Sequence, residues 1–321
     1  MQYVGIQTQQ ARNNTYSVLL LGLFPCLVVL LVFLALYLLV LLGGNEQEVE
    51  RTPPLEMALA FTLHVAPYVI GGVLVWFLIA YFANTAIINA ATGARPLERK
   101  ENKRVYNLVE NLCISQGMTM PRVNVIDDSS LNAYASGINA RTYAVTLTRG
   151  IIEKLNDDEL EGVIGHELSH IRHRDVRLLI ISIVFVGIFA MLAEVSKRAL
   201  FHSTLYRGNR NNKNNGALLL IILVVVATVG YLFANLMRFA ISRKREYMAD
   251  AGAAAMTRKP LALAAALRKI SADPNVEAIS RGDVAQLFIE HPRGKSVSSG
   301  LRGLFATHPP IQKRIEVLEQ F

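Results

Sequence analysis

The sequence predicts an α+β membrane protein, in which four mainly apolar helices accompany a water-exposed domain with a small β-sheet. The first observation is the composition, which is 52% apolar with a mean hydropathy of +0.32. The second is a set of four apolar runs, at residues 17–42, 57–82, 178–193 and 217–239. The third is a series of short segments between positions 122 and 148 that are rich in β-branched residues and favour strands.

The lengths of the apolar runs indicate which of them can cross a membrane. A bilayer core about 30 Å thick requires about 20 apolar residues in a helix. The first, second and fourth runs meet that length, whereas the third, with roughly 16 residues, could be a buried or partly inserted helix. The first run is too long for the core of a signal peptide, and no small-residue cleavage site follows it. We therefore expect it to be a retained anchor.

The distribution of basic residues predicts the orientation, because lysine and arginine favour the cytoplasmic side. The loop at 43–54 contains one arginine and three glutamates, whereas the segment 95–104 contains five basic residues. We therefore expect the loop to be external and the chain from residue 84 onward to be cytoplasmic. The basic loop at 195–215 breaks this rule if the third and fourth runs both cross. A hairpin that does not fully cross is the alternative.

The third and fourth runs form a pair, so the chain before and after them lies on one side of the membrane. This pairing predicts a membrane anchor at 1–83, the first part of a water-exposed domain at 84–177, a helical hairpin at 178–240 and the second part of that domain at 241–321. Any site in the first part can therefore be completed by residues that follow the hairpin.

The net charge of +8 comes from basic residues that cluster at the edges of the apolar runs. This placement favours anionic lipid headgroups as partners, so we expect contact with the lipid bilayer. No basic surface with interleaved aromatic residues is evident, and we expect no nucleic-acid partner. The two cysteines, Cys26 and Cys113, have no metal-binding spacing and no reason to pair, which fits a reducing compartment.

Periodicity and turn residues predict the elements of the water-exposed domain. The predicted strands are 122–126, 132–136 and 143–148, and the predicted helices are 98–116, one that begins at 156, 242–256, 260–271 and 309–319. Residues 202–216 are predicted to be a flexible linker and 283–305 a mobile loop.

The most specific pattern lies in the helix that begins at 156, where residues 166–170 have the sequence His-Glu-Leu-Ser-His. Residues four apart on a helix lie above one another, so His166 and His170 face the same point. Glu167 is displaced by about 100° and can reach the open side of a metal ion held there. In this H-E-x-x-H pattern the histidines bind zinc and the glutamate is the general base of a peptidase.

A catalytic zinc needs a third protein ligand and one open position. The positions three and six residues after His170 hold His173 and Val176, which excludes the metzincin class with its glycine and histidine there. Charged residues flank the motif, which is unlike a protease whose motif is buried inside a span. These exclusions leave a carboxylate from a later helix as the third ligand.

Glu246, which follows the fourth apolar run, is the best candidate for the third ligand. Asp250 lies one helical turn further on and can accept a hydrogen bond from the outer nitrogen of a ligand histidine. The alternative is that both carboxylates pair with Arg243 and Lys244 on a solvated face.

Together these motifs resemble the HtpX-type bacterial membrane metalloproteases, which are related to the type I CAAX prenyl proteases. The resemblance covers nearly the whole chain. It is carried by H-E-x-x-H at 166–170, S-R-x-x-E-x-x-A-D at 242–250, N-A-Y-A at 132–135, and His-Pro-Pro at 308–310 followed by Arg314.

The resemblance implies a gluzincin-like protease domain and assigns roles to individual residues. His166, His170 and Glu246 would bind one Zn²⁺ per chain, and Glu167 would be the catalytic carboxylate. His308 would lie near the transition-state oxygen, with Arg314 nearby. The implied substrate-binding strand would pair with an extended peptide, and it consists of Asn132, Ala133, Tyr134 and Ala135.

Simpler interpretations of two of these features stay open. His308 precedes two prolines at a helix start and could cap or pack there. The strand could be an ordinary edge strand with Tyr134 in the core.

The expected function is that of a zinc-dependent endopeptidase of the bacterial cytoplasmic (inner) membrane, multi-pass and with its protease domain facing the cytoplasm. The motif helix leads directly into the third apolar run, which places the site close to the membrane and favours membrane proteins or their cytoplasmic segments as substrates. The resemblance implies quality control of misfolded or damaged membrane proteins. The alternatives are a CAAX-type processing protease and a non-catalytic membrane scaffold with a structural zinc.

Overall fold

The computed structural model describes residues 6–43, 52–205, 215–272 and 309–321, and the chain divides into two compact units. The first unit comprises Met1–Ser17, Tyr81–Ile181 and Arg238–Phe321, and the second comprises Val18–Ala80 and Ser182–Met237. The domain boundaries inferred from the sequence stay a prediction.

The described part of the chain is mostly helical. The helices are α1 (Ile6–Gly43), α2 (Pro54–Thr92), α3 (Lys103–Gln116), α4 (Arg149–Lys154), α5 (Asp157–His173), α6 (Asp175–Leu205), α7 (Asn215–Thr257), α8 (Pro260–Ala272) and α9 (Ile311–Leu318). The strands are β1 (Arg95–Pro96), β2 (Arg122–Ile126), β3 (Ala133–Ser136) and β4 (Ala144–Thr148).

The strands form a small mixed sheet in the order β1-β2-β4-β3. β2 and β4 are parallel, while β1 pairs with β2 and β3 pairs with β4 in the antiparallel sense. The residues of β3 and β4 are buried throughout, and α5 packs close to β3. The three predicted strands are confirmed to within one residue, whereas β1 and α4 were not predicted because two and six residues are too few to show a period.

Among the described residues, three helical segments are long and apolar enough to cross a membrane. These are Gln10–Leu42, Pro54–Thr92 and Asp175–Phe201, and a shorter apolar segment of α7 covers Leu218–Phe233. The fourth run was expected to be long enough to cross but contributes only this shorter segment among the described residues. The third run, which is short in the sequence, lies in a helix that is long enough by length and composition, so its crossing stays a prediction. Its helix begins before the run and continues past it, through Glu194 and Arg198, which form an ion pair of 2.9 Å one turn apart.

The second unit is held together by aromatic contacts between its helices. The ring of Phe24 on α1 stacks on Phe185 of α6 with centroids 3.9 Å apart, and Phe77 of α2 meets Phe185 edge-on at 5.0 Å. Large apolar side chains of α2 in this unit, such as Leu63 and Leu78, are mostly exposed. A protein surface of this kind is suited to lipid.

Three other sequence predictions differ from the structure. The helix predicted at 98–116 begins only at Lys103, because Asn102 caps it by accepting from the Val105 amide. The helix predicted at 242–256 is not separate, because α7 runs without a break from Asn215 to Thr257. The predicted linker at 202–216 is helical at both ends, with 206–214 outside the described residues, and the predicted loop at 283–305 lies wholly outside them.

Candidate metal centre

The helix α5 positions the two histidines of the H-E-x-x-H motif. It begins with a capping box, in which Asn156 accepts from the Glu159 amide at 2.9 Å and Glu159 accepts from the Asn156 amide at 2.9 Å. His166 and His170 are one turn apart on this fixed helix, and their Nε2 atoms lie 3.1 Å from each other. The two nitrogens therefore face one point.

Glu246 of α7 completes a cluster of three possible metal donors with these histidines. Its Oε2 lies 3.6 Å from His166 Nε2, and its Oε1 lies 3.5 Å from His170 Nε2. Bonds of about 2.0–2.2 Å in a tetrahedral zinc site separate neighbouring donors by about 3.3–3.6 Å. The two histidine–carboxylate distances fall in this range, and the distance of 3.1 Å between the histidine nitrogens is slightly shorter. Two imidazoles and one carboxylate also suit zinc in chemistry.

Asp250 contacts His166 on the side away from this cluster, and Arg314 contacts both Asp250 and the cluster. The Asp250 Oδ1 lies 2.9 Å from His166 Nδ1, and Arg314 of α9 donates to both Asp250 oxygens at 2.9 and 2.7 Å. Arg314 Nη1 also lies 3.3 Å from Glu246 Oε2. Glu246 and Asp250 are only 6% and 1% exposed, so the alternative of a solvated face for these carboxylates is wrong.

The proton affinity of His166 reflects the same carboxylates. Burial lowers the pKa of His166, but Asp250 and Glu246 outweigh it and raise the pKa to about 9. The two carboxylates stabilise a positive charge at the imidazole ring. A divalent cation would benefit from the same stabilisation, because it competes with a proton for the Nε2 lone pair.

His170 has a carboxylate partner that the sequence analysis did not identify. Its Nδ1 lies 3.2 Å from Oδ2 of Asp175, the first residue of α6. Arg174 between the two helices has a φ of 61°, and this left-handed residue ends α5. The sequence shows an acidic residue directly after the motif helix. Whether that residue reaches His170 depends on the left-handed conformation of Arg174, which the sequence does not reveal.

Glu167, the second residue of the motif, is a further buried carboxylate near the cluster and is not one of its donors. Its side chain is 2% exposed, and burial raises its pKa, while His166 and His170 oppose this shift. Within the described part of the chain, no hydrogen-bond partner holds the Glu167 carboxylate. A buried carboxylate of raised pKa beside a candidate metal cluster is suited to exchange a proton with a reactant bound there.

The predicted substrate strand lies at the edge of the sheet. Ala133, Tyr134 and Ala135 belong to β3, which pairs with β4 on one side and is the last strand on the other. Asn132 precedes the strand and accepts from the Thr148 amide at 3.0 Å through its carbonyl. Tyr134 is fully buried, with its hydroxyl 2.9 Å from Thr92 Oγ1, so its side chain belongs to the core as the simpler interpretation expects.

The structure therefore brings together most of the site residues inferred from the sequence. They form one connected set of contacts, which consists of His166, His170, Glu246, Asp250 and Arg314, and Glu167 interacts electrostatically with it. His308 lies outside the described residues, so its inferred place near the site stays a prediction.

Comparisons with known proteins identify the family of this chain. Residues 99–321 match the family model described as Peptidase family M48. A protease HtpX homolog from Bacteroides fragilis is 68% identical over 323 residues, which covers 100% of both chains. A protease HtpX homolog from Dictyoglomus turgidum is 40% identical over 256 residues, covering 77% of this chain and 81% of that protein.

One solved structure, the crystal structure of S. mikatae Ste24p, is a more distant match. The match has 19% identity and a TM-score of 0.45, and it covers 98% of this chain and 66% of that one. The resemblance to HtpX-type membrane proteases is confirmed by the sequence relatives. The chain belongs to peptidase family M48.

Proposed function

We propose that this chain is a zinc-dependent, membrane-bound endopeptidase that cleaves membrane proteins or their cytoplasmic segments in protein quality control. One observation carries the proposal: three donor atoms are gathered at zinc spacing, with a separate buried carboxylate beside them. A structural site would use four protein ligands, whereas three ligands and an adjacent carboxylate are typical of a catalytic site.

In the proposed mechanism, His166, His170 and Glu246 hold Zn²⁺, and the chain's other groups handle substrate and protons. The bound Zn²⁺ would lower the pKa of a coordinated water to about 7 and polarise the peptide carbonyl. Glu167 would accept a proton from the attacking water and return it to the amine nitrogen that leaves. One water is consumed and one C–N bond is broken, so the reaction needs no other reactant.

Substrate would reach the site as an extended chain along β3. This strand is the edge of the sheet and packs against α5, so a peptide added to that edge would run beside the motif helix. Ala133 and Ala135 carry small side chains, and backbone pairing would give affinity with little side-chain preference. Broad sequence tolerance suits a protease that removes damaged proteins.

We place the site at the cytoplasmic face of the bacterial inner membrane. Only Arg174 separates α5 from α6, which is a candidate span, so the motif lies within a few residues of a membrane-crossing helix. The basic residues of segment 95–104 favour the cytoplasmic side for this unit.

The test of this proposal is metal-dependent cleavage by the full-length chain in detergent. The two substrates are a denatured membrane protein and a farnesylated CAAX peptide. Cleavage of each is measured without chelator, with chelator, and after Zn²⁺ is added back. We expect cleavage of the denatured protein to be abolished by chelator and recovered with one equivalent of Zn²⁺. Cleavage of the farnesylated peptide alone would favour the processing protease. Cleavage that persists in chelator would contradict the proposal.

The scaffold alternative requires a fourth protein ligand, and Cys113 is the soluble cysteine available for it. Cys113 lies on α3 and is buried, and it is not part of the donor cluster found among the described residues. Burial raises its pKa to about 11, which keeps the thiol protonated at neutral pH.

We therefore expect Cys113→Ser to retain one Zn²⁺ per chain and the wild-type cleavage rate, measured by atomic absorption and by the same cleavage assay. The buried serine would lower only the thermal stability. Loss of zinc in a variant that remains folded would support the structural-zinc alternative.

A further inference from the structure

The two ligand histidines are supported in the same way but from different parts of the chain. His166 has Asp250 at its outer nitrogen, and Asp250 is held by Arg314 of α9. His170 has Asp175 at its outer nitrogen, with Nδ1 and Oδ2 3.2 Å apart. A carboxylate that accepts this outer N–H fixes the tautomer in which Nε2 is free to bind metal.

Asp175 is itself held by a residue from the N-terminal helix. Asn13 of α1 donates through Nδ2 to Asp175 Oδ1 at 2.5 Å and to the backbone oxygen of His173 at 2.9 Å. Gln10, one turn earlier, donates to the backbone oxygen of Arg172 at 2.6 Å. Asn13 is 2% exposed and lies near the start of the first candidate span. Its amide is a buried donor aimed at the carboxylate, more than 150 residues away in sequence.

The surroundings of Asp175 supply hydrogen-bond donors to both its side chain and its backbone. The side chain is buried, and its two oxygens face different donors, one on Asn13 and one on His170. The buried guanidinium of Arg245 donates to the Asp175 backbone oxygen at 3.3 Å and adds a positive charge nearby. The carboxylate also lies in the first turn of α6, where the helix dipole stabilises negative charge.

We propose that Asp175 is the positioning residue for His170 and that Asn13 fixes Asp175, so the N-terminal helix supports the metal centre as well as anchoring the chain. The inference rests on the proposed function only in taking His170 as a metal ligand. It predicts that substitution of Asn13, which contacts no ligand side chain, weakens metal binding. The effect would pass through two hydrogen bonds, from Asn13 to Asp175 and from Asp175 to His170.

The expected magnitude follows from comparable sites, in which loss of an outer partner costs about 10–100-fold in metal affinity. We expect Asp175→Ala to lower the Zn²⁺ affinity of the full-length chain in that range, and Asn13→Ala to lower it by less. Affinity is measured by competition with a chromophoric chelator. The visible spectrum of the Co²⁺-substituted protein gives a second readout, because a displaced imidazole changes the ligand field.

The relay is tested by combining the two substitutions. If Asn13 acts through Asp175, the double variant Asn13→Ala/Asp175→Ala binds Zn²⁺ as weakly as Asp175→Ala alone, since the second change removes nothing further. Independent effects would multiply instead. Ser17→Ala is the matched control, because Ser17 is buried on the same helix and its hydroxyl donates to the Asn13 backbone oxygen at 2.8 Å instead of to Asp175.

The outcomes separate failure of this inference from failure of the proposed function. A wild-type chain that binds no Zn²⁺ and cleaves nothing contradicts both. A wild-type chain that binds Zn²⁺ and cleaves, together with Asn13→Ala and Asp175→Ala variants of unchanged affinity and Co²⁺ spectrum, overturns only the positioning role. If Asp175→Ala does not fold, Asn13→Ala decides alone, and reduced affinity with a shifted Co²⁺ spectrum supports the proposal.

Discussion

Substitution of Glu167 by glutamine is expected to lower the rate of peptide cleavage by about 10²–10⁴-fold, the usual contribution of a general base. The amide has nearly the same volume as the carboxylate but cannot accept the proton of the attacking water. The metal content should not change, because Glu167 is outside the donor cluster. Cleavage is measured as the initial rate on the denatured membrane protein, and zinc by atomic absorption on the same preparation.

The stability of this variant provides an internal check on the assignment. Glu167 is buried, and burial raises its pKa, so its charge is costly in the folded chain. A neutral amide removes that cost, and we expect Glu167→Gln to be at least as stable to heat as the wild type. Lower activity with unchanged or higher stability is typical of a catalytic group and not of a structural one.

A matched control lies on the same helix. Glu161 is on α5, and its carboxylate pairs at 2.9 Å with Lys259, whose ammonium also contacts Asp158 at 2.7 Å. Glu161→Gln makes the same chemical change away from the metal centre and should cleave at the wild-type rate. A wild-type cleavage rate in Glu167→Gln would show that Glu167 is not the general base. Equal loss in both variants would indicate a general effect on α5.

The sequence could predict the parts of this site that depend on local geometry. The spacing of His166 and His170 is fixed by the helix, and the capping box at Asn156 makes that helix recognisable. Glu246 could be inferred because two consecutive apolar segments return the chain to the same side of the membrane. The positions of the two histidines follow from a single helix, and the position of Glu246 follows from the rule that a pair of spans returns the chain to one side.

The sequence could not predict the parts that depend on several segments meeting. Asp175 reaches His170 only because Arg174 adopts a left-handed conformation, which the residue type does not favour. The contact of Asn13 with Asp175 joins segments more than 150 residues apart, and no periodic pattern marks it. The length of α6 was also underestimated, because charged residues such as Glu194 and Arg198 interrupt the apolar run but not the helix.

Loss of the third ligand should have the largest effect on metal binding. We expect Glu246→Ala to lower Zn²⁺ affinity by more than the roughly 10–100-fold that is typical for loss of an outer hydrogen-bond partner. Because the metal is lost, cleavage should be abolished as well. The Glu246 oxygens lie 3.5 and 3.6 Å from the two histidine nitrogens, and Glu246 is the carboxylate of the donor cluster found among the described residues. Zinc per chain is measured after dialysis, alongside Asp250→Ala, which should retain more metal.

Glu246 also lies against Arg314, and its removal leaves that buried guanidinium with Asp250 as its remaining ion partner in the described cluster. Folding must therefore be separated from metal binding. Glu246→Gln keeps the side-chain volume and removes the charge, and Glu316→Ala removes an exposed carboxylate on the same helix as Arg314. We expect Glu246→Gln to stay folded by circular dichroism while losing zinc, and Glu316→Ala to keep both. One tightly bound Zn²⁺ in folded Glu246→Ala would exclude Glu246 from the ligand set, because the two histidines alone would then suffice.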